Sequence, residues 1–191
     1  MVTIRHELPS DVAARENLLD QAFGLKRRRK TAERLREGRL PAEGLAFVAR
    51  SRDAHLLGTV RLWNVEAGSA GPALLLGPIA VEQRSRGRGV GAALMNEAIS
   101  QAKAIGYRAI VLVGDEPYYG RFGFTRQAVS DLRMPGPIDR DRFLGLELQP
   151  GALDGAKGVV TATGRPIGAA RPDRAPRLRA QRVGRTDRSI G

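Results

Sequence analysis

The sequence contains no cysteine. That excludes disulfides, thiolate metal centres and a cysteine nucleophile able to carry an acyl group. Histidine is nearly as scarce. His6 and His55 are the only two, far apart and beside no acidic cluster, so neither a zinc site nor a Ser-His-Asp arrangement has support and no metal is expected. Aromatic residues make up 5% of the chain, with Trp63 the single tryptophan; on a strand it reads as a packed side chain or a pocket wall. No apolar run reaches the roughly 18 residues of a membrane span. The opening "MVTIRHELPSDVAAREN" has no long apolar core of a secretory signal. The expectation is a cytoplasmic protein, monomeric or homodimeric, that does not engage membranes.

What is present is basic charge. The chain has 191 residues, 42% of them hydrophobic, which suits one domain with an appendage, and a formal net charge of +12. Residues 165–191 hold eight Arg and two Asp, so half of the excess sits on "RPIGAARPDRAPRLRAQRVGRTDRSIG". This stretch lacks hydrophobic periodicity and cannot offset its ordering entropy by burial. It reads as a flexible, solvated tail. Two other readings are a contact for an anionic partner such as nucleic acid, and a segment ordered against the body or a neighbouring chain. The domain boundary is set at residue 164.

Along the body, "VTIRHEL" alternates as a strand does, and "LPSDVAARENLLDQAF" follows as a helix with Ser10 as its N-cap and Val12, Leu18, Leu19, Ala22 and Phe23 on one apolar face. "KTAERLREGRLP" predicts a second, shorter helix from Thr31 to a stop at Gly38. "GLAFVARS", "HLLGTVRLWNVEA" and "GPALLLGPIAVEQ" read as three successive strands, the last interrupted at Gly77-Pro78 because proline cannot donate to a ladder. A helix from Val90 to Ile105 is expected next, with Val90, Ala93, Leu94, Ala98, Ile99, Ala102 and Ile105 inward and Gly106 as stop. "YRAIVLVG" is a strand covered on both faces. "DEPYYGRFGFTRQ" is a turn or short helix leading into another strand, and "RFLGLELQP" and "GVVTATG" close the domain. The pattern predicts an α+β (α/β) fold, a mixed, mostly antiparallel sheet with flanking helices.

The most informative stretch is "GPIAVEQRSRGRGVGAALMNEAISQA", residues 77–102. An apolar strand passes into three arginines and three glycines, and then directly into a helix. The first turn of a helix has unpaired N–H groups and a partial positive charge, and glycine lets the backbone approach an anion closely. Such a loop suits a pyrophosphate. A P-loop is excluded, because Ala92 and Ala93 stand where Lys and Ser or Thr are needed. Gly87-x-Gly89-x-x-Ala92 fits the letters of a dinucleotide fingerprint, but the preceding strands read as antiparallel and no second βαβ unit follows.

Arg86-x-x-Gly89-x-Gly91 after Ile79-Ala80-Val81, together with Tyr118-Tyr119-Gly120-Arg121-Phe122-Gly123-Phe124, resembles the GNAT superfamily of N-acetyltransferases over residues 3–164. "KTAERLREGRLP", "GTVRLW", "LLLGPIAV" and "LVGDEPYYGRFGF" are similar to a bacterial subfamily of it. The resemblance implies acetyl-CoA as co-substrate, bound by Ile79, Ala80 and Val81 and by Arg86, Gly87, Arg88, Gly89, Val90, Gly91 and Ala92. It also implies acetyl transfer to a primary amine, small-molecule or peptide, by direct attack in a ternary complex. Tyr119 would be the general acid that protonates the departing thiolate, its alternative being a packed aromatic. Asp115 and Glu116 are base candidates, with helix capping as their alternative. The alternative function is a catalytically weak or inactive CoA-binding sensor or scaffold whose basic tail binds nucleic acid or another anion. "GLKRRRKTAERLREGRLP" falls where the superfamily builds its acceptor wall; its charge reads either as a solvated basic face or as a preference for an acceptor with an anionic part.

Overall fold

A computed structural model describes residues 2–169; Met1 and residues 170–191, which include most of the predicted basic tail, lie outside the described residues. The strands are β1 (Thr3–His6), β2 (Ala46–Arg50), β3 (Leu56–Ala67), β4 (Pro72–Val81), β5 (Ala109–Val113), β6 (Asp131–Arg133), β7 (Phe143–Glu147) and β8 (Lys157–Ala162). The α-helices are α1 (Val12–Phe23), α2 (Val90–Ile105) and the single turn α3 (Glu116–Tyr119). The sheet runs β1-β2-β3-β4-β5-β7, with β8 pairing β3 and β6. The pairs along this path are antiparallel except β4 with β5, so the predicted mixed, mostly antiparallel α+β architecture holds.

Period-two alternation assigns the two faces of the sheet. Leu62, Leu74, Leu76, Ile110 and Leu112 point to the side that α2 covers with Val90, Leu94, Met95, Ala98 and Ala102. Trp63, Leu75, Val111 and Phe143 point to the opposite face. There α1 sets Leu18 and Leu19 against Val48, Leu56 and Ala80. The breadth of the two aliphatic layers explains how a chain so poor in aromatics fills its core.

Several local expectations are corrected. Ser10 does not cap α1: a short 3-10 turn, Pro9–Asp11, comes first. Asp11, fully buried, accepts the Leu8 N–H at 2.7 Å and holds Arg5 and Arg50, so this ionic anchor sets the helix start. Val12 and Phe23 stay exposed at the two ends of α1, and on α2 Met95 rather than Ala93 or Ile105 joins the buried stripe. The predicted helix in "KTAERLREGRLP" is a 3-10 segment, Thr31–Leu35, and another 3-10 segment, Leu25–Arg29, precedes it. Arg27 turns back to Glu16 and Asp20, and the Thr31 hydroxyl donates to Pro137 O, contacts that a continuous helix would not make together. After Phe124 the chain makes only an isolated bridge, Thr125 to Gly145, before β6.

Beyond Gly164 the chain continues against the body. Leu40 N–H donates to Arg165 O and Ile167 N–H to Gly38 O, both at 2.8 Å.

Candidate active site

The site forms where β4 and β5 part. Their parallel pairing is confined to Leu74 with Ile110 and Leu75 with Val111. Past Leu75, β4 keeps its other neighbour: β3 pairs Val60 with Ile79, Thr59 with Ala80 and Gly58 with Val81. The register shifts between these pairs and Leu62–Leu76, which places the expected irregularity at Gly77-Pro78. The indole N–H of buried Trp63 donates to Gly77 O at 2.6 Å and fixes this point. The Glu82 N–H donates across to Leu57 O. By strand alternation the polar groups of Ile79 and Val81 therefore turn to the edge that β5 has left.

The glycine loop continues from that edge. Gly87 and Gly89 have φ of +74° and +79°, and a Cβ on either would meet open space, so backbone conformation rather than crowding selects glycine here. Gly89 is the N-cap of α2 and no side chain caps that end. The first intrahelical bond is Ala93 N–H to Gly89 O. The N–H groups of Val90, Gly91 and Ala92 thus precede the ladder, as an anion cradle requires. Arg84, Arg86 and Arg88 are exposed around it. The cradle therefore suits the pyrophosphate of a CoA-type ligand.

On the other side of the split, β5 runs through Gly114 to α3. Tyr118 and Tyr119 contact each other edge to face, with centroids 4.9 Å apart, and diverge in role. The Tyr118 hydroxyl reaches α2, since a Cβ on Gly91 would lie 2.8 Å from it. Sequence reasoning missed this contact; the adjacent tyrosine was its only visible signal. Tyr119 packs its ring over Gly114 and against Phe124, and it lines a cavity of about 560 Å³ with Gly77, Pro78 and Ile79. Burial, then the neighbouring Tyr118 and Asp115, push its phenol up to about 12 against the opposing pull of Arg142.

The two acidic candidates separate. Asp115 lines the cavity and pairs with Arg142 at 3.1 Å. Glu116 is not among the lining residues and pairs with Arg126 at 2.8 Å. The cavity is also lined from the 3-10 region, by Glu33 and by Lys30 and Arg36 that flank Thr31–Leu35, and from Pro137–Asp139. Sequence reading placed the basic segment at an acceptor wall without singling out Glu33 or Arg36. Among the described residues no group of three or more His, Cys, Asp or Glu is placed to hold a metal, and no helix is long and apolar enough to cross a membrane.

Comparison with known proteins agrees with this geometry. The Acetyltransferase (GNAT) family description matches residues 13–124. The uncharacterized N-acetyltransferase YhbS of Escherichia coli K12 is 32% identical over 158 residues, 82% of this chain and 93% of that protein. The crystal structure of E. coli YhbS in complex with CoA is 31% identical, with a TM-score of 0.72 over 84% of this chain and 89% of that one. A GNAT acetyltransferase from Brucella melitensis in complex with acetyl-CoA is 28% identical, with a TM-score of 0.63 over 84% and 95% of the two chains. A split parallel pair, a glycine cradle and a tyrosine beside the split, together with these matches, place the chain in the GNAT family of acetyltransferases.

Proposed function

We propose that the protein transfers the acetyl group of acetyl-CoA to a primary amine by direct attack within a ternary complex. The observation that carries this reading is the unpaired β4 edge from Ile79 to Val81, running straight into the cradle of Gly87 to Ala92 on one side and the Tyr119 cavity on the other. The pyrophosphate would rest on the N–H groups of Val90, Gly91 and Ala92, with Arg86 and Arg88 supplying charge. The peptide-like pantetheine arm would extend the sheet along Ile79 and Val81. A main-chain N–H on this edge, that of Ile79, would donate to the thioester oxygen as negative charge builds there. The complexes of E. coli YhbS with CoA and of the Brucella protein with acetyl-CoA support this ligand class.

Tyr119 is the proton donor to the departing thiolate. A phenol held near 12 is fully protonated at neutral pH, and a proton donor is what the leaving sulfur needs. Asp115, on the cavity wall beside Tyr119, receives the amine proton directly or through water; Glu116, turned to Arg126, does not serve. With no cysteine in the chain, no acyl-thioenzyme intervenes. The test is calorimetric titration with acetyl-CoA, followed by an amine-library screen for CoA release. Acetyl-CoA binding with release on a subset of amines is expected. Absence of acetyl-CoA binding would overturn the reading, and tight binding without release on any amine would favour a CoA-binding scaffold.

A further inference from the structure

The cavity beside Tyr119 is unevenly charged. Five of its lining residues are cationic and three are anionic. Most of the cations are already engaged. Arg27 is tied to Glu16 and Asp20, Arg142 to Asp115, and the Lys30 ammonium lies 5.2 Å above the Phe23 ring. Arg29 is exposed on the surface. Arg36 is as buried as Arg27, its side chain only 9% exposed on the cavity wall, but it pairs with one carboxylate, Glu33, where Arg27 pairs with two.

The bonds of Arg36 leave part of its guanidinium uncommitted. Nε donates to Ala32 O at 3.1 Å, and Nη2 stands 3.2 Å from Glu33. A guanidinium has five N–H donors in a planar fork, so these two contacts account for a minority. Nη1 lies 4.0 Å from where a Cβ on Gly77 would stand, at the break in β4 and on the same cavity as Tyr119. Burial lowers its pKa from the ordinary guanidinium value, with Glu33 opposing and Arg27 adding to the effect. A buried cation with one carboxylate neighbour, in a cavity of net positive lining, is stabilised by a second anion and penalises a purely cationic guest.

Resting on the acetyltransferase reading above, we infer that the acceptor is a primary amine that also bears a carboxylate, and that Arg36 binds this carboxylate at the cavity wall facing Gly77. The amine end then points toward Tyr119 and the acetyl group. Polyamines, which bring only positive charge into a cavity lined by an excess of cations, are disfavoured.

The experiment uses ω-amino acids of increasing length, the matching ω-amino carboxamides, and spermidine, each as acceptor with acetyl-CoA, followed by CoA release. The amino acids are expected to exceed their carboxamides in kcat/KM by about tenfold or more, a difference of ~1.4 kcal/mol. Arg36→Gln is expected to bring that ratio close to one, and Arg36→Lys to restore part of it. Equal turnover of acids and carboxamides by the native protein, or preference for spermidine, overturns the inference. So does an Arg36→Gln protein that is folded by its melting curve and keeps the preference.

A second readout does not depend on turnover. Trp63, the only tryptophan, bonds Gly77 at this wall, so its fluorescence reports ligand entry into CoA-loaded protein. Saturable binding of an ω-amino acid that its carboxamide does not reproduce supports the anion site, even where no amine is acetylated. In that case it is the transfer reading that fails. No carboxylate-dependent binding, with acetyl transfer to other amines intact, overturns the anion site alone.

Discussion

The ring of Tyr119 occupies the space a side chain on Gly114 would need. A Cβ there would lie 2.1 Å from Tyr119 Cε2 and 2.7 Å from Cδ2. Gly114 is thus the floor on which the proposed acid rests, at the point where β5 ends and its N–H bonds Arg142 O at 2.8 Å. Gly114→Ala is expected to displace the ring by about 1 Å. Misplacement of a catalytic group on that scale lowers turnover by roughly 10²-fold. Acetyl-CoA affinity, which the proposed function assigns to the cradle at Gly87 to Ala92, is expected to change little. Steady-state kinetics beside a calorimetric titration checks both, and equal losses of turnover and binding would contradict the separation.

Tyr119→Phe removes the hydroxyl and keeps the ring. Turnover should fall by roughly 10² to 10⁴-fold with acetyl-CoA binding retained. The pH profile is the second check. The pKa of Tyr119 is raised to about 12, so its acid form persists below that value. In the native protein kcat/KM should therefore climb as the acceptor amine loses its proton, without a descending limb from Tyr119 up to about pH 10. A fall in rate with an apparent pKa near 9 would show a different group acting as acid.

These elements were unequally legible in the sequence. The glycine loop and α2 were readable because their signals are local: positive φ at Gly87 and Gly89, an apolar stripe from Val90, and a glycine stop at Gly106. The break at Gly77-Pro78 was readable because proline has no N–H to donate. Arg36 was not, since its meaning comes from Gly77 and Tyr119, more than 40 residues away and delivered by the sheet. The tyrosine motif located α3 but could not say which ring turns where; Gly91 receives one hydroxyl and Gly114 the other ring because of how α3 leaves β5. The 3-10 geometry of 25–35 was hidden because helix-forming residues there are overruled by ties to Glu16, Asp20 and Pro137.

Asp11 ties the first strand, the start of α1 and the end of β2 together. It is fully buried, bound by Arg5, Arg50 and the Leu8 N–H, and its pKa is lowered most by the Arg5 hydrogen bonds. A carboxylate with a depressed folded pKa stabilises the fold above its unfolded value near 4, and that contribution is lost as pH falls below it. Asp11→Asn should cost about 3 kcal/mol at neutral pH, because two arginines lose their buried counter-charge. The difference from the native protein should shrink by about pH 3, where the carboxylate of the unfolded chain takes up its proton while the native one stays ionised. Urea unfolding at the two pH values measures this, and an unchanged difference would assign the cost to hydrogen-bond geometry rather than charge.

The C-terminal boundary is the last test. Read from the sequence it falls at Gly164, where β-branched density ends. Yet Arg165 and Ile167 exchange main-chain bonds with Leu40 and Gly38, and Pro166 bridges to Arg39. This pairing lies directly after the segment that carries Arg36. We therefore propose Ala169 as the working boundary. A chain ended after Ala169 loses seven Arg and two Asp and should keep its melting temperature and acetyl-CoA affinity. A chain ended after Gly164 also loses two main-chain bonds, each worth about 0.5–1.5 kcal/mol. In a domain of this size that lowers the melting temperature by roughly 2–10 °C. It should also loosen the Arg36 wall, so acceptor KM rises more than acetyl-CoA KM. Should the chain ended after Ala169 itself melt many degrees lower, the segment beyond it contributes to the fold or to a partner contact, and the domain extends past both boundaries.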